Sequence, residues 1–200
     1  MPSSGLRIGI TMRVMEAHGC HEPRDALAQN WSAFMSAALP NAAWLPVPNL
    51  GAKKARAYCR KWNINRLILT GGEDIGVSLL RDETEQDLLT WARESDVPVL
   101  GVCRGMQMMA VWAGVALKPV EGHVRTRHIL RGGFVHEVNS FHNYVLGECP
   151  LGFEVSARAE DGEIEAINST EFRWEGWMWH PERERSFQST DIIRLRRLFE

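Results

Sequence analysis

No apolar run in these 200 residues approaches the roughly 20 needed to cross a bilayer, so a membrane-spanning helix is not expected. The start, Met1-Pro2-Ser3-Ser4-Gly5, has neither the basic nor the apolar region of a signal peptide, and the expected compartment is the cytoplasm. Cysteine is sparse: Cys20, Cys59, Cys103 and Cys149 form no C-x-x-C pair and no metal-ligand spacing, and are expected as reduced thiols. The seven histidines make no H-x-x-x-H array, so no metal is expected. Neither sign of charge is in excess. The formal net charge of −2 argues against nucleic-acid binding, yet leaves room for a local basic site facing a phosphorylated substrate. Linkers, repeats and low-complexity stretches are also missing, which points to one domain over 1–200, large enough for a sizeable core.

What is there alternates. Leu6–Thr11 reads as a buried strand, Glu22–Leu39 as a helix and Trp44–Pro48 as a short strand closed by prolines. A helix near Ala52–Trp62, a strand at Arg66–Thr70, a helix at Glu83–Ser95 and an apolar strand up to Val102 follow. Such alternation implies a mostly parallel sheet covered on both faces. After Ala116, His123–Asn139 and Gly152–Ile167 read as antiparallel strands, Trp174–His180 as a strand returning to the main sheet, and Thr190–Phe199 as a terminal helix.

Two segments carry chemistry. In Val99-Leu100-Gly101-Val102-Cys103-Arg104-Gly105-Met106-Gln107 a strand ends in Gly-x-Cys-x-Gly and passes into a helix. Glycines at 101 and 105 suit a turn in which the backbone folds back on itself with the thiol at its apex. There a sulfur would meet the positive end of the helix, which favours the thiolate. The same pattern also fits an inert buried cysteine. In Trp177-Met178-Trp179-His180-Pro181-Glu182, period-two alternation puts His180 and Glu182 on one side of an extended chain, where the carboxylate can fix the imidazole's tautomer. Alone, that pair also fits a solvated strand end.

Together the two segments resemble the signatures of class I glutamine amidotransferases, and more closely their free-standing γ-glutamyl hydrolase branch, the C26 peptidases. Leu67–Asp74, with Gly71-Gly72, and Val138-Asn139-Ser140-Phe141-His142-Asn143 look like two further family segments in family order. The resemblance implies a flavodoxin-like α/β fold with a small antiparallel addition. It also implies hydrolysis of a γ-glutamyl amide by Cys103 as nucleophile, His180 as base and Glu182 as its orienting partner. Gly72 and Arg104 would supply oxyanion-hole amides. Gly71, Gln107, Asn139, Ser140, Phe141 and His142 would line the glutamyl site, and no cofactor is needed.

The segments Ile10-Thr11-Met12-Arg13 and Glu22–Leu27, Trp31, and the ending Met178–Glu184 look like a subgroup tied to surface-polysaccharide genes. That subgroup includes the hydrolysis of γ-glutamyl-CDP-amidate to glutamate and cytidine diphosphoramidate for capsule modification. Arg13, just beyond the first strand, and Arg24, opening the next helix, are the candidates to pair with a diphosphate, with Arg104 beside Cys103 as a further contributor, although each also fits a surface ion pair. Other readings stay open. They are a γ-glutamyl-GABA or other γ-glutamyl-amine hydrolase, the glutaminase chain of a two-chain amidotransferase, and a silent ligand-binding scaffold. A synthetase partner is possible but not required; only the glutaminase reading would need one, as a separate chain.

Overall fold

The computed structural model describes residues 5–19, 21–134 and 136–200. Cys20 and the start Met1-Pro2-Ser3-Ser4, read above as a reduced thiol and a leaderless N-terminus, lie outside them. The first half of the chain comprises β1 (Arg7–Thr11), β2 (Arg13–Glu16), β3 (Pro23–Ala26), α1 (Asn30–Ala38), β4 (Ala43–Val47) and α2 (Lys54–Lys61). It continues through β5 (Arg66–Leu69), α3 (Leu79–Glu94), β6 (Val99–Val102) and α4 (Arg104–Trp112). The second half adds β7 (Leu117–Pro119), β8 (Val124–Ile129), β9 (Arg131–Gly132), β10 (Glu137–Phe141) and β11 (Tyr144–Leu146). Last come β12 (Phe153–Arg158), β13 (Ile164–Ser169), β14 (Trp174–Trp177), a 3-10 turn at Pro181–Arg183 and α5 (Ser189–Phe199).

Eight strands form one sheet in the order β4-β1-β5-β6-β14-β13-β12-β9. The first five are parallel, and their order is the flavodoxin-like 2-1-3-4-5; the other three are antiparallel. Period-two alternation divides the core. Ile8, Ile10, Ile68, Leu100 and Val102 pack under α1 and α5 against Trp31, Phe34, Leu195 and Phe199. Leu67, Leu69 and Val99 pack on the other face with Cys59 of α2, Leu88 and Leu89 of α3, and Met108 and Met109 of α4. Each such fully buried side chain is worth about 1.5–3 kcal/mol. No helix among the described residues is long and apolar enough to cross a membrane.

Two boundaries differ from expectation. Residues 23–26 are not the start of a helix: they pair antiparallel with 13–16 as a hairpin, held by Asp25, whose carboxylate accepts from Asn49 N at 2.9 Å and Asn49 Nδ2 at 2.6 Å. The helix expected from Glu83 begins at Leu79, behind Ser78 as N-cap, and the extra turn carries Arg81 and Asp82.

Candidate active site

The C-terminal ends of β5, β6 and β14 lie side by side, because Leu69 is in register with Gly101 and Trp177 with Val102. Ligands on such sheets meet the strand ends. Cys103 follows β6 directly and is the residue before α4. Its backbone sits at φ 52°, ψ −106°, a conformation costly for any side-chain-bearing residue, and its N–H donates to Trp177 O at 2.7 Å. The flanking glycines make the bend possible. A Cβ on Gly101 would lie 2.7 Å from the Gly105 carbonyl, and one on Gly105 would strike the Leu69 carbonyl. Arg104 N–H belongs to the first turn of α4, where amides have no intrahelical acceptor.

His180 comes three residues beyond β14, at the end of a segment anchored by buried Trp177, Met178 and Trp179. Its Nδ1 is 2.7 Å from Glu182 Oε1, and both residues are buried. The pairing does not arise from strand alternation as expected. Pro181 starts a 3-10 turn, and that turn curls Glu182 back under the ring. Burial pulls the imidazole down, but Glu182 and Cys103 beside it outweigh burial and raise it to about 9.

Asn139 and His142, expected along the glutamyl site, are committed to protein partners. The Asn139 amide brackets the His180 backbone, donating from Nδ2 to its carbonyl at 2.8 Å and accepting its N–H at 3.0 Å. His142 is buried with Nδ1 3.1 Å from Tyr144 O and Nε2 3.4 Å from His123 Nδ1. Ser140 Oγ donates to His123 O at 2.7 Å, and Gln107 Nε2 donates to Tyr144 O at 2.8 Å. Phe141 remains partly exposed, edge-on to the His180 ring at 5.9 Å, with the Arg183 guanidinium 4.8 Å above it.

The arginines separate. Arg13 and Arg183 line a cavity of about 30 Å³ with Leu27, Trp31, Gly71 and His180, and Arg13 Nε is buried with no hydrogen-bond partner among the described residues. Arg24 does not open a helix. It stands on the exposed hairpin paired with Glu22 at 2.6 Å, outside that cavity's lining. The Arg104 side chain turns away from solvent to bind Glu85 and Asp82, which leaves it unable to reach a phosphate. Burial pushes the Glu85 carboxyl up, but Arg104 and Arg81 overcome it and hold it below its ordinary value.

Arg81 went unnoticed in the sequence. It is fully buried, donates to Thr70 O at 2.7 Å and Gly71 O at 3.2 Å, and pairs with Glu73 at 2.9 Å, so it fixes the Gly71-Gly72 loop. That loop abuts the imidazole: a Cβ on Gly71 would overlap His180 Cε1. Only a buried arginine at the correct start of α3 would have signalled this role, and Leu79 and Leu80, both exposed, obscured that start.

A buried cysteine at a strand-to-helix elbow beside a His–Glu pair, on a sheet ordered 2-1-3-4-5, defines a class of protein, and residues 46–198 match the glutamine amidotransferase class-I family. The chain belongs to that family. It is 30% identical over 193 residues to the γ-glutamyl-CDP-amidate hydrolase of Campylobacter jejuni, covering 94% of this chain and 95% of that one. It is 38% identical over 151 residues to the pyocyanine-specific anthranilate synthase component 2 of Pseudomonas aeruginosa, covering 68% of each. Among solved structures, a glutamine amidotransferase from Thermotoga maritima superposes at TM-score 0.65 with 12% identity, over 88% of this chain and 76% of that one. At such identity that match speaks for the fold alone.

Proposed function

We propose that this protein hydrolyses a γ-glutamyl amide through a glutamyl thioester on Cys103. The observation that carries the reading is a strained cysteine elbow beside the buried His180, whose Nδ1 lies 2.7 Å from Glu182 Oε1. The Cys103 sulfur attacks the γ-carbonyl, and the oxyanion is met by the N–H groups of Gly72 and Arg104, each worth about 2.7–4 kcal/mol in such sites. An imidazole at about 9 carries a proton at neutral pH, so His180 can hand one to the departing nitrogen. The C–N bond breaks, the amine leaves, and His180 then takes a proton from the water that opens the thioester. Glu182 holds the tautomer throughout, with Asn139 fixing the His180 backbone.

The substrate we favour is γ-glutamyl-CDP-amidate, released as glutamate and cytidine diphosphoramidate. Support comes from the similarity to the Campylobacter jejuni hydrolase over nearly the whole of both chains. Arg13, which lines the cavity and whose buried Nε has no partner among the described residues, is the candidate to meet a diphosphate, with Arg183 lining the same cavity. A second reading, the glutaminase chain of a two-chain amidotransferase, is favoured by the similarity to anthranilate synthase component 2.

Glutamate release from γ-glutamyl-CDP-amidate, γ-glutamyl-GABA and glutamine, compared by kcat/KM with Cys103→Ala as control, separates the readings. A preference of several hundredfold for the nucleotide is expected. Equal or greater activity on the simple amides would discard the nucleotide. Activity on glutamine that needs a synthetase chain would select the second reading.

A further inference from the structure

Away from Cys103, the antiparallel part of the molecule gathers His123, just before β8, His128 on β8, His142, just after β10, and Glu165 on β13. The ligand atoms these four offer lie within 4.8 Å of one another. The hydrogen bonds around them assign the lone pairs. His142 Nδ1 faces the Tyr144 carbonyl at 3.1 Å, an acceptor only, so Nδ1 carries the proton and Nε2 the lone pair. His123 Nε2 faces Asp161 Oδ2 at 2.7 Å, so in the neutral imidazole, the form that binds a metal, Nδ1 has the lone pair. Those two lone pairs meet at 3.4 Å. Into the same space points Glu165 Oε1, 3.5 Å from His123 Nδ1 and 3.4 Å from His142 Nε2.

Three acceptors converging on one buried point repel unless a cation stands among them. Glu165 is fully buried and neither of its oxygens has a hydrogen-bond partner among the described residues; His128 Nε2 is also buried and unpartnered. A proton on one imidazole can bond only one acceptor at a time, whereas a metal ion serves all of them.

We propose that His123, His128, His142 and Glu165 bind a Zn2+ ion in a structural, four-coordinate site. The spacing fits at three of the four ligands: a tetrahedron with bonds of about 2.0–2.1 Å has edges of about 3.3–3.4 Å, and the pairs among His123, His142 and Glu165 measure 3.4, 3.4 and 3.5 Å, while His128 stands farther out, within 4.8 Å of the others, and would swing in on binding. Three imidazoles and a carboxylate without thiolate suit Zn2+ among the biological divalent ions. Asp161 behind His123 and the Tyr144 carbonyl behind His142 are the outer partners that such histidines ordinarily have. Asp161 is half exposed and gives the ion a route from solvent.

The site would join the segments that flank His180. Glu165 O accepts from Met178 N at 2.8 Å, two residues before His180. His142 lies three residues after Asn139, whose amide brackets His180. A metal there would fix both.

The test uses full-length protein stripped with chelator and titrated with Co2+, then Zn2+. Expected are one Co2+ per chain with the intense visible bands of four-coordinate cobalt, displacement by Zn2+, and a rise in Tm with Zn2+. All three should persist in Cys103→Ala, which removes the competing catalytic thiol. Asp161→Asn should weaken binding about 10- to 100-fold, and His128→Gln by at least as much with loss of the Zn2+-dependent Tm rise. No binding, weak six-coordinate bands, loss of binding in Cys103→Ala, or unchanged affinity in both cluster variants would each overturn the proposal. None of these readouts depends on γ-glutamyl hydrolysis.

Discussion

Replacing Gly71 with Ala should disable the site without unfolding the protein. An added methyl would overlap His180 Cε1 and lie 3.1 Å from Nε2, against ordinary carbon contacts of about 3.5–4.0 Å. The loop cannot easily yield, because Arg81 holds the Thr70 and Gly71 carbonyls at 2.7 and 3.2 Å and is itself pinned by Glu73 and Glu85. The imidazole must therefore retreat by about an ångström, and a misplacement of that size costs about 100-fold in rate, about 2.7 kcal/mol of barrier. Gly71 has no positive φ, so the backbone accepts alanine and the loss should fall on kcat with little change in Tm. Glutamate release and thermal melts would be measured beside Gly5→Ala, where a Cβ meets nothing within 4 Å. Unchanged kcat in Gly71→Ala would refute the placement of the loop against the imidazole.

Cys103→Ala and Cys103→Gly should both lose turnover, but the glycine variant should melt higher, by the equivalent of about 1 kcal/mol, since glycine tolerates φ 52°; equal or reversed melting temperatures would deny strain at the elbow. His180 is raised from 6.5 to about 9, so its protonation contributes stability in full below about pH 6.5 and loses it as pH rises through 9. The Tm gap between wild type and Glu182→Gln should accordingly narrow from pH 6 to pH 10, and a constant gap would remove Glu182 as the cause of the shift. Glu85→Leu leaves buried Arg81 and Arg104 short of a partner and should cost about 3–5 kcal/mol in urea unfolding; a loss below about 1 kcal/mol would mean that the network is not coupled.

Much of the parallel sheet and the pairing of His180 with Glu182 could be read from local sequence, because both depend on short-range rules. An apolar run ending in Gly-x-Cys-x-Gly suits a tight strand-to-helix turn, and Pro181 delivers Glu182 to His180 within three residues. What escaped depends on distant partners. The β2–β3 hairpin has little strand propensity in Glu22-Pro23-Arg24-Asp25, and Asn49, well along the chain, is what fixes Asp25. Arg81 lay outside the helix expected from Glu83, and only the earlier start of α3 folds it against the loop. Asn139, Ser140, Gln107 and His142 carry the right polar groups for a substrate, yet the fold directs those groups to the His180 backbone, His123 O and Tyr144 O. The histidine cluster draws on positions 123, 128, 142 and 165, a spacing that no local array would reveal.

The central claim is that chemistry passes through a glutamyl thioester on Cys103, and acid-quenched mass spectrometry during turnover of a γ-glutamyl amide tests it most directly. A glutamyl adduct on the peptide containing Cys103, absent in Cys103→Ala and accumulating in Glu182→Gln, is the predicted result. Turnover that proceeds without any adduct and survives in Cys103→Ala would contradict the account.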